Sequence, residues 1–488
     1  MRKLSWLPKD RIFFMNKDIV SSFIIKASLA ALSILMSATA KCGVADTWGL
    51  FETGIPVVFI ETVNRELPTA DPVDPPEGCS GGGITNRTIV KGRIYILNAN
   101  KDTIYDSGEY QESESGMTVR LRGNWSGRLE KAPYKIKLEK KADLIDGNRQ
   151  NADRNWILKN DENMYPNVIA SLKVNELSGM QWTPRYKWVH LVMNNTYRGL
   201  YQLIESVRRN PDCRIDVSKS GYIIEYDAYW WNEDVWFETP LHQKWSNMNY
   251  TFKYPDSEDI TQEQIQYISD YMTTVESSIN DGTYTQYIDV ESFARWLLGA
   301  DILGMGDGAG FNMYITKYDN TSESLIRMSN LWDYDTMMKK KGEWSRSHTF
   351  YYFPALFASS DRTFTETYIR IWEEEGHFIM DSTINYIKSY ISSEQGESLA
   401  KSLAKDNKRW PYYYVDLTEY SDSVISWFEQ RKVWMDNEIA KLKAEASVVL
   451  PGGVTGKVQY YDLLGRRVND YEGKRVKYSK DGLIGIVF

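Results

Sequence analysis

Apolar and polar residues along this chain recur with two different periods, and the change of period marks a change of architecture. Residues 55–60 form a short apolar run, and 90–97, 116–122 and 134–138 alternate as strands buried on one face do. Between them, 68–83 is rich in Pro, Asp and Gly and reads as a loop. The opening third is therefore mainly β. A helix pattern over 164–177 closes at Gly179, 188–193 and 197–204 read as a hairpin turning at Asn194-Asn195, and 221–225 reads as another strand. The helical period then takes over. Thr261 and Gln264 form a capping box ahead of Ile265, Ile268, Met272, Val275 and Ile279. Residues 421–446 carry Val424, Ile425, Phe428, Met435, Ile439 and Leu442 at the spacing of a long amphipathic helix. Pro451-Gly452-Gly453 breaks the chain before a short β module, 457–468 with 482–488. The pattern predicts an α+β protein, β-rich in its N-terminal part and helical in its C-terminal part, with a short β tail.

One stretch organises the rest. A helix carrying Phe293, Trp296, Leu297, Ala300 and Leu303 stops at Gly304, Gly306, Gly308 and Gly310, a glycine cluster that holds a single acid, Asp307. Two strand-like runs follow, 311–317 and 325–332, separated by a polar turn. A hairpin returns its far end to its near end, so Asp333 and Asp335 are expected beside Asp307 and Asn312. Three carboxylates and an amide would share one mouth.

That mouth has a chemical reading. Asp307 and Asn312 have the D-x-x-x-x-N spacing of the protein-kinase catalytic loop, in which the Asp takes a hydroxyl proton and the Asn holds magnesium. Asp333-Tyr334-Asp335 falls where a kinase has D-F-G, whose Asp holds the metal that bridges nucleotide phosphates. Oxygen ligands of this kind suit magnesium or manganese. The bland alternative is a capped turn and a pair of acids at a strand end. On the β side, Arg120 and Arg122 precede a flexible turn, and Lys135 and Lys137 stand two apart on one strand face, where a lysine can pair with phosphates. Glu205 and Glu225 end apolar runs, placed either to orient a lysine, to contact a nucleotide edge, or simply to meet water. Neither G-x-G-x-x-G nor G-x-x-x-x-G-K-[ST] occurs.

Composition narrows the class. At 488 residues with 14% aromatics, the chain has length for a large core built on ring packing, and its formal charge of -8 argues against nucleic acid as main partner. Lys17 and Lys26 lead into an apolar run, 27–36, followed by Ala38-Thr39-Ala40, the layout of an export signal too short to span a bilayer. Residues 1–40 hold six bases and two acids, so the exported chain would carry -12. Cysteines are Cys42, Cys79 and Cys213: a lipid on Cys42 is disfavoured by Lys41, a Cys79–Cys213 disulfide is open, and no C-x-x-C pair supports a zinc ribbon. The four histidines are scattered. Tyr229-Trp230-Trp231 with Trp236-Phe237, beside Asp227, Glu233 and Asp234, is an aromatic cluster of the kind that packs in a core or stacks on sugars or a partner.

In order along the chain stand RLRGNWS (120–126), APYKIKL (132–138), NWILKND (155–161), GLYQLIESV (199–207), GYIIEYD (221–227), the D-x-x-x-x-N loop and LWDYD (331–335). This ordered set resembles the spore-coat protein H (CotH) family of secreted, kinase-like proteins over roughly 55–335, with helical continuation to about 445. The resemblance implies an atypical protein-kinase-like fold that uses ATP and Mg2+ or Mn2+ to phosphorylate Ser or Thr of exported proteins. It implies Asp307 as the acid/base, Asn312 and Asp333 as metal ligands, Asp335 as a further or supporting ligand, and Lys135 or Lys137 as the phosphate lysine. Arg122, Glu205 and Glu225 are the accompanying nucleotide-site candidates. Two departures are visible: Asn124-Trp125-Ser126 replaces the Asn-Ser that often follows Arg-Gly, and the 304–310 loop is glycine-rich. The organisation expected is a signal at 1–40, a β segment and linker at 41–90, the kinase-like domain at 91–450, and a C-terminal β module at 451–488 resembling the sorting tails of secreted Bacteroidetes proteins. Periplasm, cell surface or exterior would be its location, and the chain has no transmembrane segment in this reading. A competing reading from another class is a surface binding protein or adhesin that keeps the scaffold without the chemistry; a paired-carboxylate hydrolase has no supporting pair.

Overall fold

The structure, a computed structural model, describes residues 43–160, 165–240, 247–308, 310–333 and 336–447, and four strands between 459 and 487. The expected export signal, Cys42 and Asp335 lie outside the described residues, as does all of 448–458.

The β-rich part closes on itself. Strands β1 (Val57–Thr62), β4 (Val90–Leu97), β6 (Met117–Leu121), β7 (Tyr134–Ala142), β8 (Asp153–Lys159), β9 (Tyr186–Met193) and β10 (Thr196–Glu205) join in the order β1-β9-β10-β8-β7-β6-β4, and β4 pairs back onto β1. The result is a seven-stranded barrel, with β5 (Thr103–Asp106) added along β4. Period-2 alternation explains the closure: Met117, Val119, Ile136, Leu138, Trp156, Leu158, Leu191, Tyr201 and Leu203 all point inward into one core. The opposite parity of β6 and β7, with Arg120, Lys135 and Lys137, consequently faces out. The expected loop at 68–83 carries a short pair of its own, β2 (Asp71–Val73) with β3 (Gly83–Thr85). Proline punctuation hid it, since three-residue strands leave no periodic signal.

Helix α1 (Tyr165–Leu177) follows β8, and β9 and β10 follow α1, turning at Asn194 and Asn195, both at positive φ. A second sheet orders β12 (Trp236–Phe237), β13 (Asn249–Tyr254), β11 (Tyr222–Asp227), β14 (Met313–Lys317) and β15 (Ile326–Met328). The helical part comprises α2 (Gln262–Asp281), started by the expected Thr261/Gln264 capping box, then α3 (Val290–Leu303), α4 (Thr363–Ile371), α5 (His377–Ile391), α6 (Glu394–Arg409) and α7 (Leu417–Ser447). A buried ion pair ties this part to the barrel: Lys131, just before β7, donates to Asp406 of α6 at 2.8 Å and to Tyr165 of α1 at 2.9 Å. Residues 438–488 form a separate compact unit whose described strands, Gln459–Asp462, Arg467–Val468, Val476–Lys480 and Leu483–Val487, make one antiparallel sheet. Among the described residues no helix is long and apolar enough to cross a membrane. Cys79 and Cys213 are both free thiols, so the disulfide left open by the sequence is not made.

Candidate functional site

The outer face of β6, β7 and β8 roofs a cleft of 540 Å³, floored by β11, β13, β14 and the loop after α3. The floor begins with α3. Asp289 caps its start by accepting from the Ser292 N–H at 3.0 Å, and Gly304 ends it in the left-handed region, returning its own N–H to Ala300 and Asp301. The glycine-rich loop beyond is held from both sides rather than free. Gly306 N–H donates to the Thr336 carbonyl at 3.0 Å, Asp307 N–H to Thr336 Oγ1 at 3.0 Å, and Ser347 Oγ to the Gly308 carbonyl at 2.8 Å. Beneath it, the buried Asp301 carboxylate accepts from Tyr368 at 2.7 Å and from Ser345 N–H at 2.9 Å, and lies 2.8 Å from His348 Nδ1. Asp307 is thus set on a hydrogen-bonded platform.

The hairpin forms, shorter than its sequence pattern suggested, and brings Asp333 back toward Asn312. β14 pairs with β15 in the register Ile315↔Met328 to Lys317↔Ile326, so residues just before β14 and just after β15 lie at the same end. Asn312 and Asp333 stand there, both at φ +60, a conformation uncommon outside glycine and most accessible to Asn and Asp. Asn312 N–H donates to Glu225 Oε1 at 3.2 Å, Glu225 pairs with Lys253 at 2.9 Å, and Asp333 pairs with Lys159 at 3.0 Å.

Electrostatics separate the two acids. Burial raises the Asp307 carboxyl above the ordinary aspartate value, and the neighbouring Asp333 charge raises it further. Burial works the same way on Asp333 but is outweighed by Lys159 and Arg122, which hold that carboxyl below the ordinary value. A pair pushed apart like this has one member suited to take a proton and one that stays ionised. On the roof, burial and then Arg120, Arg208 and Lys253 push the Lys135 amine down to about 7. On the floor, burial and then Glu225 push Asp227 up to about 7; it accepts from Tyr229 N–H at 2.7 Å and Thr251 Oγ1 at 3.0 Å.

Of the residues singled out in the sequence, Asp307, Asn312, Asp333, Lys135, Arg122 and Glu225 all line the cleft. Lys137 does not: it is exposed on the barrel beyond the cleft, because the two-residue step from Lys135 carries it past the roof. Glu205 does not either. It is fully buried, with Arg185 donating to it from the backbone at 3.0 Å and from the guanidinium at 2.8 Å, a structural bond between β9 and β10. Sequence reasoning missed Lys159, the lysine that does face Asp333. Its signal was present: it ends an apolar strand directly ahead of a helix pattern, whereas Lys135 and Lys137 were chosen for sharing one strand face. Lys253, Asp227 and Arg87 were missed too, since nothing local marks a polar residue as cleft-facing.

Two tests bear on an ATP–metal ligand. Asp333 and the side chain of Asn312 offer hard oxygen donors, enough for magnesium, which is commonly held by one or two carboxylates with phosphates and water. Among the described residues no group of three His, Cys, Asp or Glu gathers to hold a metal unaided. The roof carries Arg87, Arg120, Arg122 and Lys135, and Arg87 Nε is buried without a partner among the described residues, which fits an absent oxyanion. The residues fit the group. Of the aromatic cluster, Tyr229 lines the cleft and Trp236 is 39% exposed against Trp230; Trp125, outside that cluster, also lines the cleft and is 62% exposed.

Comparison with protein-family models matches residues 119–435 to the family described as CotH kinase protein. No curated protein matches the chain.

Proposed function

The chain belongs to the CotH kinase family, and from that premise we propose that it transfers the γ-phosphoryl group of ATP to Ser or Thr of an exported protein with a divalent metal. The observation that carries this reading is the 3.0 Å pair between Lys159 and Asp333, the latter lining the cleft with Asp307. Lys159 ends β8, the third of the consecutive strands β6, β7 and β8, and α1 follows it, which is the position of the phosphate lysine in protein kinases. The roles of this chain's residues follow from their environment. Asp307, with its raised carboxyl, accepts the proton of the attacking hydroxyl as that oxygen bonds to the γ-phosphorus and the bond to the β-phosphate oxygen breaks. Asp333, kept ionised by Lys159 and Arg122, and Asn312 hold the metal, which when bound neutralises phosphate charge. Arg120, Arg122 and Lys135 receive the phosphate oxygens from the roof.

The experiment is incubation of the purified chain with labelled ATP and magnesium or manganese, beside Asp333→Ala. Label transferred to the chain itself or to a generic protein, and lost in the variant, supports phosphotransfer. Absence of label together with absence of metal-dependent nucleotide binding would refute it. In that case the exposed Trp125 of the cleft and the exposed Trp236 favour the binding-protein reading, tested by capture on immobilised glycans and proteins with Trp125→Ala as control.

A further inference from the structure

The family match begins at residue 119, yet residues before it complete the cleft. The β2–β3 pair and the residues after it lie against the turn between β6 and β7, the roof's edge. Arg128 Nε donates to the Gly83 carbonyl at 2.8 Å. Asn232 Nδ2 reaches both the Ile84 carbonyl at 3.0 Å and Asn124 Oδ1 at 3.1 Å. Gly127 packs closely on Ile84, since a Cβ there would sit 2.4 Å from Ile84 Cδ1. This fastening carries Arg87 into the cleft.

Arg87 Nη2 donates to the Gly123 carbonyl at 3.4 Å and Asn124 Oδ1 at 3.3 Å, both long contacts, and its buried Nε has no partner among the described residues. Burial first, then Arg120 and Arg122, disfavour its charge, with Glu233 the acid opposing them. A half-buried guanidinium that lines a cleft among like charges, with only long contacts of its own, is placed to take an oxyanion. We propose that Arg87 is a phosphate-binding residue of the cleft, its guanidinium donating to a phosphate oxygen of the nucleotide beside Arg120 and Arg122. The segment from β2 to Arg87 is then part of the active site, although it lies outside the matched family region. The identity of the phosphate-bearing ligand rests on the kinase reading; the anion subsite does not.

The test is calorimetric titration of the full chain with magnesium-ATP, with pyrophosphate and with adenosine, for the wild type, Arg87→Gln and Arg87→Lys. Arg87→Gln is expected to weaken ATP and pyrophosphate roughly ten- to hundredfold, the effect of losing one charged hydrogen-bond donor, with adenosine unchanged. Arg87→Lys should fall between, keeping charge but losing the planar guanidinium fork. An unchanged thermal midpoint shows that the variants fold. Equal ATP affinity in wild type and Arg87→Gln overturns the proposal, as does an effect confined to the KM of a protein acceptor, which would make the anion the acceptor's. Wild type that binds pyrophosphate but not ATP upholds the subsite while refuting the kinase reading, and binding of neither refutes both.

Discussion

Lys131 and Asp406 are 275 residues apart in sequence, and each side chain is only 1% exposed. The carboxylate has three donors: Lys131 at 2.8 Å, Tyr165 at 2.9 Å, and the Leu200 N–H at 2.7 Å. Breaking a buried pair by removing one partner costs about 3–5 kcal/mol, because the survivor is left charged and out of water. The two halves of this pair should not cost the same. Lys131→Met leaves a carboxylate that keeps Tyr165 and Leu200, so the loss belongs near the lower end, about 3 kcal/mol. Asp406→Ala leaves an ammonium with the Tyr165 hydroxyl and the Tyr201 ring but no counter-charge, and also strands the Leu200 N–H, placing it at about 5 kcal/mol. Lys131→Met/Asp406→Leu buries no charge and should cost less than Asp406→Ala alone, a coupling visible in a double-mutant cycle. Urea unfolding followed by tryptophan fluorescence measures all three. If Asp406→Ala loses under about 1 kcal/mol, or if the double variant loses the sum of the singles, the pair is not the buried charge cluster described here.

Lys159→Met should abolish phosphate transfer while Lys137→Met leaves it within about twofold, since only Lys159 faces Asp333; equal losses in the two variants would remove the role given to Lys159. ATP affinity should fall about tenfold between pH 6 and pH 8, because Lys135, pushed down to about 7, binds phosphate as the ammonium and loses that proton as pH rises. Asp227 gains charge over the same range, so the decisive comparison is Lys135→Arg, in which the dependence should flatten; an identical pH profile in that variant would assign the effect elsewhere. The acid limb of kcat/KM should lie above the ordinary aspartate value and disappear in Asp307→Asn along with activity, and a limb at the ordinary value would dissociate Asp307 from the proton transfer.

Much of this protein was legible before its structure. Period-2 runs located β4, β6, β7, β9 and β10, because a strand buried on one face must alternate, and the capping box located the start of α2 because its bonds are local. The hairpin between Asn312 and Asp333 was legible for the same reason: β14 and β15 pair with near neighbours, so the return of Asp333 toward Asn312 needs no long-range contact. Closure of the barrel was not legible. It depends on β1 pairing with both β4 and β9, the latter a parallel pairing across some 130 residues, and no periodicity states which strand meets which. The lysines show the same limit in one residue type. Lys135, Lys137 and Lys159 all read as strand lysines, and their local sequences do not say that the first lies under the roof, the second in solvent and the third against Asp333. By itself the sequence determined the longer periodic elements, the family, and Asp307, Asn312 and Asp333 as neighbours, since each is written in residues near one another. Only the tertiary structure decided which bases face those acids and that Arg87 joins them, because a side chain's environment is set by what packs across from it, and that partner is supplied from elsewhere in the chain.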